Sequence, residues 1–344
     1  MSKQPKDTSQ MKNADIMNAI RTASESMKEV MPQSVTADNI EAYGNAITSY
    51  SPTMNEFLNV LVNRIAKEII SSKMARNKLA KFKNGSMYYG KDIEEIFVDL
   101  IQKATFDDTL AETEVFKKNK PNVKAIFHRE NRRDMYKTTV SKDQLKKAFR
   151  SEGGLGKLLT AIVNSMYSSN TNDEYKYMKQ LLSDYSTGGA AGASLFKKNT
   201  VVAPTDTATT KALAQAIKKQ VLQMGFMSTQ YNAQGVNTYS DPEDLVLFVT
   251  PQVAVMMDTE LLAYAFNMEK FDTNTQLVVV DDFGSGLAKA QAILVDKNWF
   301  QVYDTNLEFE SLYNPQGLYW NYYLHVWSTL STSQFQNAVT FETA

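Results

Sequence analysis

Asn314-Pro315-Gln316-Gly317-Leu318-Tyr319-Trp320-Asn321-Tyr322-Tyr323-Leu324-His325-Val326-Trp327 is the stretch that decides how the chain folds. Proline at the second position and glycine at the fourth make residues 314–317 a tight turn. Beyond it, Leu318, Trp320, Tyr322, Leu324 and Val326 share one face of a strand at period two. Tyr319, Asn321, Tyr323, His325 and Trp327 share the other. Bulky residues on both faces predict a strand covered on both sides. An aromatic ring buries on the order of 150–250 Å², which is about 4–6 kcal/mol gross at ~25 cal/mol/Å². A core or subunit-interface role therefore outweighs an aromatic platform for sugars or bases.

Working outward, residues 307–313 and 338–341 read as further strands of a β-rich C-terminus. Upstream is an α/β patch. Residues 209–224 are helical, 245–249 form a buried strand, and Thr250-Pro251 caps a helix running to about Phe266. Strands follow at 276–280, 291–295 and 299–303. The loop Thr187-Gly188-Gly189-Ala190-Ala191-Gly192-Ala193-Ser194 is a flexible boundary. Before it lie two helical stripes. Leu155, Leu158, Leu159, Ile162 and Met166 form one; Tyr175, Met178, Leu181 or Leu182, and Tyr185 form the other. Cap-type residues 171–174 stand between them. The first fifteen residues are polar and expected to be mobile. Ile16, Ile20, Ala23, Met27 and Val30 predict one amphipathic helix ended by Pro32. A second follows Ser51-Pro52, lined by Met54, Phe57, Leu58, Leu61, Ile65 and Ile69.

Residues 71–140 differ from both ends. They hold few large apolar residues per unit length and cannot bury a core of their own, so they read as an extended projection resting on the rest of the chain or on another chain. Charge is also uneven. Residues 117–150 carry twelve Lys or Arg against three acids, whereas residues 241–344 carry three Lys against fourteen Asp or Glu. The basic half is a phosphate-binding face, a separately solvated surface, or the complement of an acidic surface on a neighbouring subunit. Charge alone leaves all three open.

The chain has 344 residues, no cysteine, two histidines and a net charge of −1. Thiol chemistry, disulfides and Cys-ligated metals are excluded. The N-terminus has no apolar h-region, and no apolar run reaches the roughly 20 residues that span a bilayer. A soluble protein with no membrane association is expected. Residues 153–158 mimic a phosphate loop, but Leu158 stands where a hydroxyl must ligate magnesium. Asp281 and Asp282 before Gly284-Ser285-Gly286 suggest an ion contact, with ordinary turn chemistry the simpler account. His128 sits among Arg129, Arg132 and Arg133, a poor setting for a general base, and His325 reads as a packed strand residue. No nucleophile–base pair emerges. The expectation is a protein that is not an enzyme and carries no cofactor or metal.

The residues do point to a family. KFKNG at 81–85, GKDIEEI at 90–96, PNVK at 121–124 and FHRENR at 127–132 come first. DEYKYMK at 173–179, AFNM at 265–268, LVDKNWFQVYD at 294–304, NPQGLYWNYYLHVW at 314–327 and NAV at 337–339 follow in order. On these blocks, covering most of residues 55–341, the chain resembles the major capsid (head) proteins of phi29-like short-tailed bacteriophages. The resemblance implies an α+β, Hong Kong 97-type capsid fold. Residues 1–70 become the N-terminal arm and helices, 71–140 the extended E-loop, and 141–186 a peripheral (P) domain with a spine helix. Residues 187–304 become the axial (A) domain, and 305–344 a β segment completing the P domain.

The implied function is a self-assembling icosahedral or prolate head shell around double-stranded DNA. Its implied partners are further copies in pentamers and hexamers, a portal, a scaffolding protein and packaged DNA. The virion is its location, after assembly in the host cytoplasm. The E-loop is expected to lie over an acidic surface of the adjacent subunit through Lys81, Lys83, Arg129, Arg132 and Arg133. Reversing Lys81, Lys83, Arg132 and Arg133 to Glu is then expected to abolish shells. Some relatives carry an immunoglobulin-like C-terminal domain; this chain stops at Ala344, so surface decoration is expected from another protein. No motif for covalent Lys–Asn cross-linking is assigned. The rivals are an encapsulin-like nanocompartment, against which the phage-specific blocks argue, a monomeric nucleic-acid-binding protein, and a carbohydrate-active enzyme.

Overall fold

The structure, a computed structural model, describes residues 13–36, 38–49, 52–54, 56–57, 60, 76–87, 92–107, 116–144, 154–257, 267–268, 271–272 and 276–344. The helices are α1 (Asn13–Ala23), α2 (Glu25–Val30), α3 (Ile40–Ser49), α4 (Gly154–Tyr185), α5 (Thr207–Met224) and α6 (Pro251–Met256). The strands are β1 (Gly85–Ser86), β2 (Asp92–Val98), β3 (Val123–Arg129), β4 (Arg132–Ser141), β5 (Lys197–Val201), β6 (Leu245–Val249), β7 (Asn267–Met268), β8 (Phe271–Asp272), β9 (Gln276–Val279), β10 (Ala290–Asp296), β11 (Phe300–Asn314), β12 (Tyr319–Thr332) and β13 (Ala338–Thr343). Two compact units divide them.

The first unit comprises Met1–Asn77, Arg133–Glu174 and Asn306–Trp327. In it β12 lies between β11 and β4. Trp320, Tyr322, Leu324 and Val326 are buried against Met17, Ile20, Met27, Met31, Met54 and Phe57 of the N-terminal segment and against Val163 and Met166 of α4. Tyr313 packs on Trp320 at 4.6 Å and Phe309 on Tyr322 at 5.9 Å between ring centroids. The opposite face, Tyr319, Asn321, Tyr323, His325 and Trp327, is only half-buried. Coverage on both sides, the expectation from the sequence, holds for one face among the described residues.

Leu318 does not join the buried face. It closes the turn at φ 52° and is 52% exposed. Asn314 Oδ1 accepts from the backbone N–H groups of Gln316 (3.0 Å) and Gly317 (3.1 Å), and its amide donates to the Tyr319 hydroxyl at 2.8 Å. A Cβ on Gly317 would stand 2.1 Å from the Tyr319 ring. Gly317→Ala is expected to displace that ring and cost about 1 kcal/mol, read as a lowered denaturant midpoint; an unchanged midpoint would contradict it.

Three sequence expectations are corrected by side-chain hydrogen bonding. The single helix expected over residues 16–30 is broken at Ser24, which is extended at φ −133°, ψ 132°. The hydroxyls of Ser24 (2.6 Å) and Ser26 both donate to the Glu56 carboxylate, holding it below the usual carboxylate range. That contact overrides the apolar period. Conversely, residues 171–174 do not interrupt α4, which runs for 32 residues. Thr171 bonds back to the Tyr167 carbonyl (2.9 Å), Asp173 accepts from the Tyr136 hydroxyl (3.0 Å), and Glu174 accepts from Asn77 (2.8 Å), so these three are engaged along the helix and not as caps. Strands expected at 299–303 and 307–313 are one strand, β11, with Trp299 in the 3₁₀ turn before it. At its middle Asp304 pairs with Lys83, and Thr305 donates to Glu130, so polar residues there do not turn the chain. Most of the helix expected after Ser51 lies outside the described residues, including Leu58, Leu61, Ile65 and Ile69; Met54 and Phe57 are fully buried.

The second unit comprises Lys78–Arg132, Tyr175–Thr305 and Ser328–Ala344. Its five-stranded sheet has the order β5-β13-β10-β6-β9. β6 and β10 pair antiparallel from Ala292↔Val249 to Asp296↔Leu245, and β6 is buried along its whole length. Alternation sorts its side chains to two cores. Leu245, Leu247 and Val249 meet Leu213, Ile217, Val221 and Met224 of α5. Val246 and Phe248 meet Met178, Leu182, Tyr185, Trp299 and Phe300. Helix α5 starts two residues before the expected position because Asp206 and Thr209 form a reciprocal capping box. Thr250 caps α6 as expected, but α6 ends at Met256, and residues 258–266 of the longer helix expected lie outside the described residues.

Candidate shell-contact surface

Residues 71–140 were expected to project, and their central part is the antiparallel hairpin β2–β3, in register from Asp92↔Arg129 to Val98↔Val123. Alternation gives it two faces. The inner face holds Ile93, Glu95 and Phe97 with Lys124, Ile126 and His128. It rests on its own unit: Phe97 and Phe335 rings are 5.5 Å apart, and Lys124 Nζ donates to the Gln234 carbonyl at 2.6 Å. Below the strands Asn237 donates to Asp99 at 3.0 Å. The outer face carries Ile96 and Phe127, 57% and 58% exposed, with Val98 and Val123 beside them. Farther along, Phe106 and Phe116 are more than 90% exposed. Soluble chains seldom leave such apolar residues together without a partner surface.

The five basic residues singled out from sequence are not equivalent. Arg129 is exposed and faces Asp92 across the hairpin at 3.7 Å. Arg133 is exposed, its guanidinium 5.1 Å from the centre of the Trp327 ring. Lys81 is exposed, with its ammonium 5.0 Å from the Phe82 ring and partial burial lowering its pKa. Lys83 is engaged with Asp304 at 2.7 Å. Arg132 is 5% exposed and lies over Tyr177 of its own chain at 5.0 Å. The exposed apolar residues of the hairpin escaped the sequence reading. The signal was there, since Val123, Ala125, Phe127 and Arg129 alternate with Lys124, Ile126 and His128.

The histidine in the arginine cluster is placed differently from its sequence neighbourhood. His128 is buried, with Nδ1 2.7 Å from Ser331 Oγ and Nε2 3.0 Å from Glu95 Oε2. The order Ser–His–Glu resembles a hydrolase triad, but the ring is 1% exposed, which leaves a substrate no access to it. His325 is half-buried in β12, as a packed strand residue should be. Gly154 opens α4, so the glycine-rich mimic lies at a helix start with residues 145–153 outside the described set.

Asp281 and Asp282 serve the fold. Lys179 bridges them at 2.9 and 2.7 Å, Tyr175 donates to Asp281 at 2.6 Å, and the Gly284 N–H donates to Asp282 at 2.8 Å. Among the described residues no cluster of three or more His, Asp or Glu could hold a metal ion. Burial pushes the Asp281 carboxyl up, but the Tyr175 hydroxyl and Lys179 outweigh it and hold it at about 2. Its contribution is therefore complete above the unfolded value near ~3.9 and lost as pH falls through about 2. Because Asp281 is largely exposed, the contribution is only ~0.5 kcal/mol. Asp281→Asn is expected to melt slightly below the parent at pH 7 and level with it near pH 2; an equal deficit at both would refute this.

The capsid structure of Staphylococcus phage Andhra superposes with a TM-score of 0.61 at 15% identity, covering 79% of this chain and 86% of that one. The fold is thus that of the Hong Kong 97-type phage capsid subunits. At the level of sequence, the family described as Phi29-like phage major capsid protein matches residues 17–342. The major capsid protein of Bacillus phage B103 is 42% identical over 337 residues, 96% of this chain and 72% of its own length. That of Bacillus phage PZA is 40% identical over 334 residues, 95% and 72% respectively. The chain belongs to the phi29-like phage major capsid protein family. It is a structural protein that assembles as multimers into the shell of a tailed phage.

Proposed function

We propose that each copy lays its β2–β3 hairpin over the adjacent copy, building pentamers and hexamers of a closed head. The observation that carries this reading is the two-faced hairpin, fixed to its own unit on one side and apolar on the other. The contact is apolar at its centre, with the exposed Arg129 at the edge of the hairpin; Lys81 and Arg133 are the other exposed basic residues of the five, while Lys83 and Arg132 hold their own chain. The receiving surface is the open face of β11 and β12. Phe309 and Tyr313 point into the core, so Glu308 and Glu310 lie on the open side beside Tyr323 and Trp327. Acids next to aromatics suit a basic-rimmed apolar hairpin. Rim charges set register and encounter rate, and the many repeated contacts of a shell supply the stability.

In this reading residues 1–70 are the N-terminal arm and helices, 71–140 the E-loop, 141–186 with 305–344 the P domain, and 187–304 the A domain. A portal, a scaffolding protein and double-stranded DNA complete the head, assembled in the host cytoplasm, and no catalysis is involved. The acid excess after residue 241 suits a container that must release its DNA. The test is negative-stain electron microscopy of the chain alone and co-expressed with the neighbouring small phage genes. Closed shells, curved sheets or tubes are expected, and a persistent monomer in both conditions would overturn the reading.

A further inference from the structure

The base of the hairpin is tied to its unit by a closed set of polar groups, and we infer that His128, Glu95 and Asn131 form a latch that positions the hairpin for assembly. His128 Nδ1 lies 2.7 Å from Ser331 Oγ, and its Nε2 lies 3.0 Å from Glu95 Oε2. The second carboxylate oxygen of Glu95 accepts from Ser333 Oγ at 2.6 Å. Asn131 completes the set: its amide donates to the Leu330 carbonyl at 2.8 Å, and its oxygen accepts from the Leu330 N–H at 2.9 Å. Both ring nitrogens, both carboxylate oxygens and both amide atoms are used. The three residues read positions 330, 331 and 333, the end of β12 and the turn beyond it.

Apolar contacts such as Phe97 on Phe335 tolerate sliding by an ångström or more. The hydrogen bonds of the latch do not, because each depends steeply on distance and angle. His128 and Ser333 are both buried, so a shifted hairpin would leave them without partners. A fully released hairpin would instead return all of these groups to water. Docked and released are therefore the two favourable states, and intermediate tilts are not. Neither the charge pattern nor the apolar pattern of the sequence reveals this, since the partners lie about 200 residues apart in the chain.

The significance of the latch for shells rests on the hairpin contact proposed above, but its existence does not, so the test has two separable arms. In the soluble subunit, Ser331→Ala and His128→Phe are expected to speed amide exchange in residues 92–98 and 123–129 at least tenfold. Strands β6 and β10 should keep the parent's rates, and Ser331→Thr, which retains the hydroxyl, should restore protection. Unchanged exchange in the hairpin, or an equal rise across β6 and β10, would overturn the latch. Where the parent forms shells, Ser331→Ala is expected to give a broadened spread of diameters and Ser331→Thr the parent's spread. A parent-like spread for Ser331→Ala would overturn the positioning role, whereas a parent that forms no shells would count against the proposed contact alone.

Discussion

Closed shells are expected to disappear when Ile96 and Phe127 are both replaced by Glu, while the subunit still folds. The two residues lie diagonally across the hairpin on its outer face, since Ile96 pairs with Ala125 and Glu94 with Phe127. Each is more than half exposed in the single chain, so the substitutions remove little intramolecular packing and should change unfolding by no more than ~0.5 kcal/mol. Across a subunit contact the balance reverses. Each apolar side chain that would be buried contributes roughly 1.5–3 kcal/mol, and a carboxylate in its place must lose water without a partner. In the proposed contact every copy both gives and receives, so the deficit would repeat around the shell. Sedimentation and negative-stain images should show only small species, with a parent-like thermal melt. Parent-like shells would remove the hairpin from the assembly mechanism.

Trp299→Ala carries the largest expected cost to folding, about 3–5 kcal/mol. Trp299 is fully buried, with its ring 4.8 Å from Phe300, 5.1 Å from Tyr185 and 6.0 Å from Phe196 between centroids. Those rings come from β11, the end of α4 and the segment before β5, so truncation opens a void that several elements share. Against a typical total of about 5–15 kcal/mol, the loss should move the urea midpoint far down. Trp299→Phe should recover part of it by refilling the space. A stability loss of less than ~1 kcal/mol for Trp299→Ala would show that neighbouring rings collapse into the gap.

The sequence was most legible where burial is strongest. Residues 245–249 and 292–295 are unbroken apolar runs, and they lie in the central strands β6 and β10. The alternation after Asn314-Pro315-Gln316-Gly317 correctly divided Trp320, Tyr322, Leu324 and Val326 from their neighbours. Helix boundaries were less legible because side-chain hydrogen bonds decide them at long range: Ser24 donates to Glu56 across 32 residues, and Asn77 to Glu174 across 97. The contact residues were read through charge, which does not reveal that Arg132 is buried over Tyr177 or that Lys83 meets Asp304. For that reason the fourfold reversal at Lys81, Lys83, Arg132 and Arg133 confounds folding with assembly. Glu at 83 would oppose Asp304, and Glu at 132 would be buried. Arg129→Glu with Arg133→Glu, both at exposed positions, tests the basic residues without that confusion.

The core of the first unit contains Met17, Met27, Met31, Met54 and Met166, a larger share of methionine than either core of the second unit. Thioether side chains are unbranched and repack at little cost. In the pentamers and hexamers proposed above, copies of one polypeptide would meet unequal local curvature. A soft interior would let the first unit absorb that inequality as many small rotamer changes, while the branched and aromatic interior of the second unit would keep its shape.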